Sequence, residues 1–222
     1  MLAFFGQPKF ALNATNYLPV GYELFIREKR GDQWILPTDF NAISVEQFRH
    51  LLLNVINSFP STIQLLSFSL EQQQFIDPAF AKMIADIQHA TSINLFTELT
   101  EREDPSVTTR QLLKAAREFH RHDLLVCVDD VGTGHNTPEL VMKLDEYIDE
   151  YKFAFQNLRP FNNVYEIESQ VKFWYDLSFK QHKMLAIEGI ERAEELAFIQ
   201  TYYPSNIIQG YYTGHPALLA TD

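Results

Sequence analysis

The sequence predicts an α/β fold built from parallel strands and the helices that cross between them. Three observations predict it. Eight short runs rich in β-branched or aromatic residues recur along the chain, amphipathic stretches of helix length separate most of them, and no Gly/Ser/Pro-rich linker divides the 222 residues. Such alternation places strands parallel with a helix between them, in either an open doubly wound sheet or a closed barrel. A closed eight-stranded barrel typically takes about 250 residues, so this chain is slightly short for one but sufficient.

The first two runs, Lys9–Leu12 and Gly21–Arg27, lie close enough to form a hairpin around Asn13–Pro19, which would make one strand of a barrel antiparallel. The strand-like runs that follow are Thr62–Ser67, Ile93–Leu99, Leu124–Val128, Lys152–Phe155, Met184–Ile187 and Ile207–Gln209. Helical patterns fill the gaps. Ser44 with Gln47 is a capping box that opens a helix to about Ser58. Asp77 followed by Pro78 is a cap with proline at the first helical position, opening a helix to about His89. Thr108–His120, Pro138–Tyr147, Tyr165–His182 and Arg192–Tyr203 complete the series.

Composition narrows the function. With 46% hydrophobic and 21% charged residues the chain is ordinary for a globular protein, which excludes a disordered tail or a low-complexity array. One cysteine, Cys127, excludes a disulfide framework and a cysteine-rich zinc site, and its place inside an apolar run reads as core packing. The net charge of −11 argues against a nucleic-acid polymer as partner, although a local cation can still hold a small anion. Met1–Phe10 is apolar but lacks a basic leading region and is interrupted by Gln7, Pro8 and Lys9. No stretch approaches the roughly 18 apolar residues of a spanning helix. A cytoplasmic protein that does not enter the membrane is the expectation.

The informative pattern is the polar residue at each strand-like run. Glu23 lies within the second, Ser67 ends the third, Glu98 ends the fourth, and Asp129 and Asp130 end the fifth. Lys152 opens the sixth, Glu188 ends the seventh and Gln209 ends the eighth. Polar residues at the carboxyl ends of successive parallel strands converge on one mouth, where barrel active sites are built. Acids gathered there repel one another unless a cation sits among them, and an all-oxygen cluster suits a hard divalent ion. The seven histidines show no metal-ligand spacing, and His120 with His122 reads as a solvated helix end.

At these residues the sequence resembles the EAL-domain family of cyclic di-GMP phosphodiesterases, over nearly the whole chain. Gln7-Pro8 is similar to the family's opening Gln-Pro, and Glu23-Leu24-Phe25-Ile26-Arg27 to its Glu-Ala-Leu-Leu-Arg signature. Glu98-Leu99-Thr100-Glu101 resembles Glu-Ile-Thr-Glu, and Asp129-Asp130-Val131-Gly132-Thr133-Gly134 resembles Asp-Asp-Phe-Gly-Thr-Gly. Glu188-Gly189-Ile190-Glu191 is similar to Glu-Gly-Val-Glu, and Gln209-Gly210-Tyr211 matches the closing Gln-Gly-Tyr.

The resemblance implies a modified (β/α)8, TIM-like barrel with one antiparallel strand near the N-terminus, formed as one domain over residues 1–222. It implies two Mg²⁺ or Mn²⁺ ions and hydrolysis of one phosphodiester bond, opening cyclic di-GMP to linear pGpG. Glu23, Glu98 and Asp129 would be metal ligands, with Asp130 on the second ion or the attacking water. Lys152 would position and help deprotonate that water, and Glu188 would complete the metal and water network. Arg27 would pair with a phosphate, Gln209 would orient a ligand, and Glu101 would anchor the Val131–Asn136 loop, which in the family leads to a homodimer interface.

The chain departs from the family where the Asn of Asn-Leu-Ser falls on Ser67 and the Asp of Lys-Ile-Asp falls on Ala154. These departures favour the alternative of a degenerate module that binds cyclic di-GMP or a protein partner without turnover. An unrelated metal-dependent barrel enzyme would keep the carboxylates but not the six ordered blocks.

Overall fold

The computed structural model describes residues 1–12 and 18–219. Its centre is a closed barrel. β1 (Leu2–Ala11) pairs antiparallel with β2 (Gly21–Arg30) through eight aligned residue pairs, from Leu2 opposite Glu28 to Lys9 opposite Gly21. Five of the next six strands follow in parallel around the ring: β4 (Leu65–Leu70), β5 (Asn94–Leu99), β6 (Leu125–Val128), β7 (Glu150–Ala154) and β8 (Met184–Glu188). β9 (Ile207–Ile208) pairs parallel with β8 and antiparallel with β1, which closes the barrel at eight strands. Two short strands lie outside the ring: β3 (Gln33–Ile35) on β2 and β10 (Ala217–Leu218) on β1. The hairpin connection expected around Asn13–Pro19 falls largely on residues 13–17, outside the described residues.

The crossovers are α1 (Val45–Ser58), α2 (Gln72–Ile76), α3 (Pro78–Gln88), α4 (Thr109–Arg121), α5 (Pro138–Leu144), α6 (Glu168–Gln181) and α7 (Ala193–Tyr202). The two expected starts are present. Ser44 accepts from Gln47 N while Gln47 returns a bond to Ser44 N, and Asp77 accepts from Ala79 N ahead of Pro78. α1 buries an apolar stripe against the outer faces of the strands, where Phe48 meets Phe4 of β1 and Phe68 of β4, and it also touches Phe80 of α3. Within the barrel, a small apolar cluster of Leu65, Phe96, Cys127, Ala186 and Ile207 forms a floor. Alternation at period two then puts Ser67, Glu98, Asp129, Glu188 and Gln209, each two residues further along its chain, above that floor.

Several boundaries differ from the expectation, each for a physical reason. β1 begins at Leu2 rather than Lys9, because Gln7 and Lys9 point into the barrel and are compensated there. β4 starts and ends later, so Ser67 sits in the middle of its strand. β7 starts at Glu150, so Lys152 is mid-strand rather than at an opening. A buried glutamate reads as loop in a sequence; here Glu150 is enclosed beside Lys9, Cys127 and Lys152. α2 escapes the apolar periodicity because two of its buried residues are glutamines, Gln72 and Gln74, the latter donating to Phe40 O at 2.8 Å. No described helix is long and apolar enough to cross a membrane.

Candidate functional site

Register brings the polar residues together. Glu23 of β2 lies opposite Gln7 of β1 and Ser67 of β4, while Glu98 of β5 lies opposite Ser69 of β4. Lys152 reaches from the middle of β7 into the centre, and Glu188 ends β8 beside Ala154. The Lys152 ammonium contacts four carboxylates: Glu23 Oε1 at 3.1 Å, Glu98 Oε1 at 3.1 Å, Asp129 Oδ1 at 2.9 Å and Glu188 Oε2 at 3.2 Å. A second ammonium, Lys9, reaches Glu98 Oε1 at 3.2 Å from below. Gln209 donates to Glu23 Oε2 at 2.5 Å and to Gln7 Oε1 at 3.0 Å, and Gln7 in turn donates to Gly214 O at 2.9 Å.

Burial and charge pull these groups apart. Burial alone raises a carboxyl and lowers an ammonium. Glu98 is fully buried, yet Lys152 and Lys9 outweigh that penalty and hold it at about 2. Glu23 is pushed well up by burial and by repulsion from Glu98, with Lys152 opposing. Burial raises Asp129 to about 7 against the attraction of Lys152, and raises Asp130 to about 6 with repulsion from Asp129 adding to it. Both lysines are held above the ordinary range because the surrounding carboxylates outweigh their burial. The centre thus combines one carboxyl held low by two ammonium groups with neighbouring acids that burial pushes up, an arrangement typical of working sites.

The loop after β6 carries the paired aspartates and is pinned from both sides. Asn136 is fully buried and donates to Leu99 O at 3.1 Å and to Asp129 O at 2.5 Å. Glu101 holds the loop by its backbone, accepting from His135 N at 2.8 Å. Gly134 is required at that crossing, since its φ is +47° and a Cβ would lie 2.5 Å from Glu101 O. The glycines here fix a turn rather than loosen it.

Two cavities flank the centre. One, of about 330 Å³, has Gln7, Arg27, Glu188, Gln209 and Tyr211 in its wall; the other, of about 210 Å³, has Phe40, Glu101 and Arg102. Glu23, Arg27, Asp129 and Asp130 border both. Arg27 therefore shares both cavity walls with the carboxylates, and among the described residues it forms no ion pair; its guanidinium donates to Ile26 O at 3.0 Å.

Of the residues singled out in the sequence, Glu23, Glu98, Asp129, Lys152, Glu188 and Gln209 converge directly. Ser67 is fully buried against Glu98, close enough to help hold that carboxyl down, but its hydroxyl has no hydrogen-bond partner of good geometry. Lys9, Gln7, Glu150, Asn136 and Gln156, whose amide donates to Glu188 Oε1 at 3.4 Å, were assigned no role from sequence. Lys9 had a visible signal, a cation two residues after Gln7 in an otherwise apolar run.

The donor set fits a hard cation. Glu23, Glu98 and Asp129 each offer an oxygen, all within 4.8 Å of one another, and so do Glu101, Asp129 and Asp130. The two groups share Asp129.

The family model for the EAL domain matches residues 12–216. No curated protein is similar enough in sequence to match the chain. Among solved structures, the EAL enzyme Bd1971 in its cAMP-bound form superposes with a TM-score of 0.78 at 18% identity, over 98% of this chain. This chain spans 64% of that one. An EAL domain protein from Listeria monocytogenes gives 0.76 at 18% identity over 97% of this chain and 88% of that one. The FimX EAL domain from Pseudomonas aeruginosa, bound to c-di-GMP, gives 0.75 at 19% identity over 100% and 92%. Extent of match, barrel topology with its antiparallel first strand, and the convergence of the signature residues agree, and the chain belongs to the EAL domain family.

Proposed function

We propose that the chain is a metal-dependent cyclic di-GMP phosphodiesterase that hydrolyses its substrate to linear pGpG in the cytoplasm. The observation that carries this reading is the convergence of Glu23, Glu98 and Asp129 oxygens within 4.8 Å, under a cavity with Arg27 in its wall. Glu23, Glu98 and Asp129 would hold one Mg²⁺ or Mn²⁺, and Asp129, Asp130 and Glu101 a second. Bound there, such ions supply charge neutralisation to the phosphodiester and acidify water. Arg27 offers a planar cation to a phosphate oxygen. Lys152 is held charged by its four carboxylates, so it orients and donates rather than accepts. The groups suited to take a proton from water are Glu188 and Asp130, both raised by burial.

Calorimetry with cyclic di-GMP and Ca²⁺ tests the reading. The parent binds, and Arg27→Ala weakens binding about tenfold or more, the loss expected for a charge-assisted phosphate contact. Absence of binding by the parent would overturn it.

Two observations favour a second reading, a module that binds cyclic di-GMP or a protein partner without turnover. Ala154 puts a methyl group beside Glu188, and Ser67 leaves a short, unpartnered hydroxyl near Glu98. Ser67→Asn separates the readings. A longer amide carbonyl at this buried position reaches toward the Glu98 side of the centre, and at limiting Mn²⁺ hydrolysis rises by an order of magnitude, about 1.4 kcal/mol of barrier. An unchanged Mn²⁺ dependence in a folded mutant shows that residue 67 does not serve the metal.

A further inference from the structure

We infer that Tyr211, backed by His215, is the stacking platform for one purine base of the nucleotide; this rests on the function proposed above. Tyr211 is a large aromatic that is 56% exposed, yet it forms part of the wall of the 330 Å³ cavity beside Arg27. Its ring lies on the His215 ring with centroids 4.4 Å apart and planes at 25°. Among the described residues, those lining the cavity include Tyr211 but not His215. The imidazole thus backs one face of a phenol ring that belongs to the cavity wall.

The turn that carries Tyr211 is fixed before any ligand arrives. Gly210 O accepts from Thr213 N and Gly214 N, both at 3.0 Å, and Tyr212 N donates to Ile190 O at 3.0 Å. Gly210 has a φ of +158°, and a Cβ there would lie 2.1 Å from Ile190 O, so the turn is pressed against the β8 exit. Gln7 ties its far end through Gly214 O, and Gln7 also bonds the Gln209 amide that touches Glu23. The platform is thus linked by hydrogen bonds to the carboxylate centre.

An exposed, rigid, backed aromatic plane costs little order to use, and every nucleobase offers it a π-face. The same cavity wall carries Arg27, with its guanidinium carbon 5.6 Å from the Phe25 ring centroid. A plane for a base and a cation for a phosphate in one wall fit a nucleotide in which the two are joined, and a purine covers the phenol ring more fully than a pyrimidine.

Calorimetry on the full chain with cyclic di-GMP and Ca²⁺ tests the platform. Tyr211→Ala is expected to weaken binding about tenfold or more, and Tyr211→Phe to stay within about threefold, because one base–aromatic stack is lost in the first and kept in the second. Proton NMR adds a signature that a merely structural role would not move: the guanine H8 resonance shifts upfield on binding the parent and Tyr211→Phe. Tyr211→Leu keeps the bulk and loses the ring, so it carries the test if the alanine variant does not fold; it too is expected to bind weakly and to lose the H8 shift. Parent-like affinity in the alanine or leucine variant overturns the platform, and so does Tyr211→Phe binding as weakly as they do, which would assign the contact to the hydroxyl. Failure of the parent itself to bind overturns the nucleotide reading with it, whereas parent binding indifferent to residue 211 overturns the platform alone.

Discussion

Asp129→Asn is expected to abolish the rise in Tm that Mn²⁺ gives the parent. Binding to the native state alone stabilises by about 2.7 kcal/mol when metal is at a hundred times its Kd. For a chain of this length that corresponds to a rise of roughly 5–10 °C. Asp129 is one of three oxygens within 4.8 Å and belongs to both acidic groups, so its loss removes a ligand from each. The metal-free baseline separates this from damage to the fold. Burial, with repulsion from Glu188, raises the Asp129 carboxyl to about 7, so its charged form is disfavoured by folding. A neutral amide of the same shape is therefore tolerated, and the metal-free mutant melts at or near the parent's Tm. Equal stabilisation of both proteins by Mn²⁺ would refute a shared site.

Lys9→Met is expected to destabilise the metal-free protein by about 3–5 kcal/mol, the range for breaking a buried ion pair by removing one partner. The Tm falls by roughly 6–20 °C. Lys9 and Glu98 are both essentially inaccessible, 1% and 0% exposed, and methionine fills the space of the lysine stem without its charge. Glu98 and Glu150 then share Lys152 alone against the burial penalty of two carboxyls. Lys82→Met is the control. Its partner Asp86 sits one helical turn away on α3 with both side chains largely in water, and such pairs contribute little. A Lys9→Met melt within about 2 °C of the parent would show that the barrel interior compensates Glu98 by other means.

How much of this was legible in the sequence follows from what kind of signal each residue carries. Glu98, the Asp129–Asp130 pair and Glu188 stood out because each ends a short apolar run, and a parallel barrel sends strand ends to one mouth. The helix starts at Ser44 and Asp77 were legible because capping is local chemistry. Lys9 and Glu150 were not. A charge in the middle of a strand reads as a loop unless its surroundings are known: Lys9 pairs with Glu98, 89 residues away, and Glu150 lies near Lys9 only through the barrel. Asn136 was unreadable because its bonds run to backbone carbonyls, of Asp129 across its own turn and of Leu99 on the neighbouring strand, which carry no side-chain signature. The short strands β3 and β10 have too few residues for period-two alternation to show. Lys152 lies two residues into its strand rather than at the opening, because β7 begins at the buried Glu150.

The central claim is turnover, and chromatography of the products tests it most directly. Purified protein is incubated with cyclic di-GMP and Mn²⁺, and the nucleotides are separated and weighed by mass spectrometry. Linear pGpG accumulating beyond one equivalent of protein, and not formed by Asp129→Asn, is the predicted result. Cyclic di-GMP recovered intact, from a protein that calorimetry shows to bind it, would contradict the claim and leave the binding module.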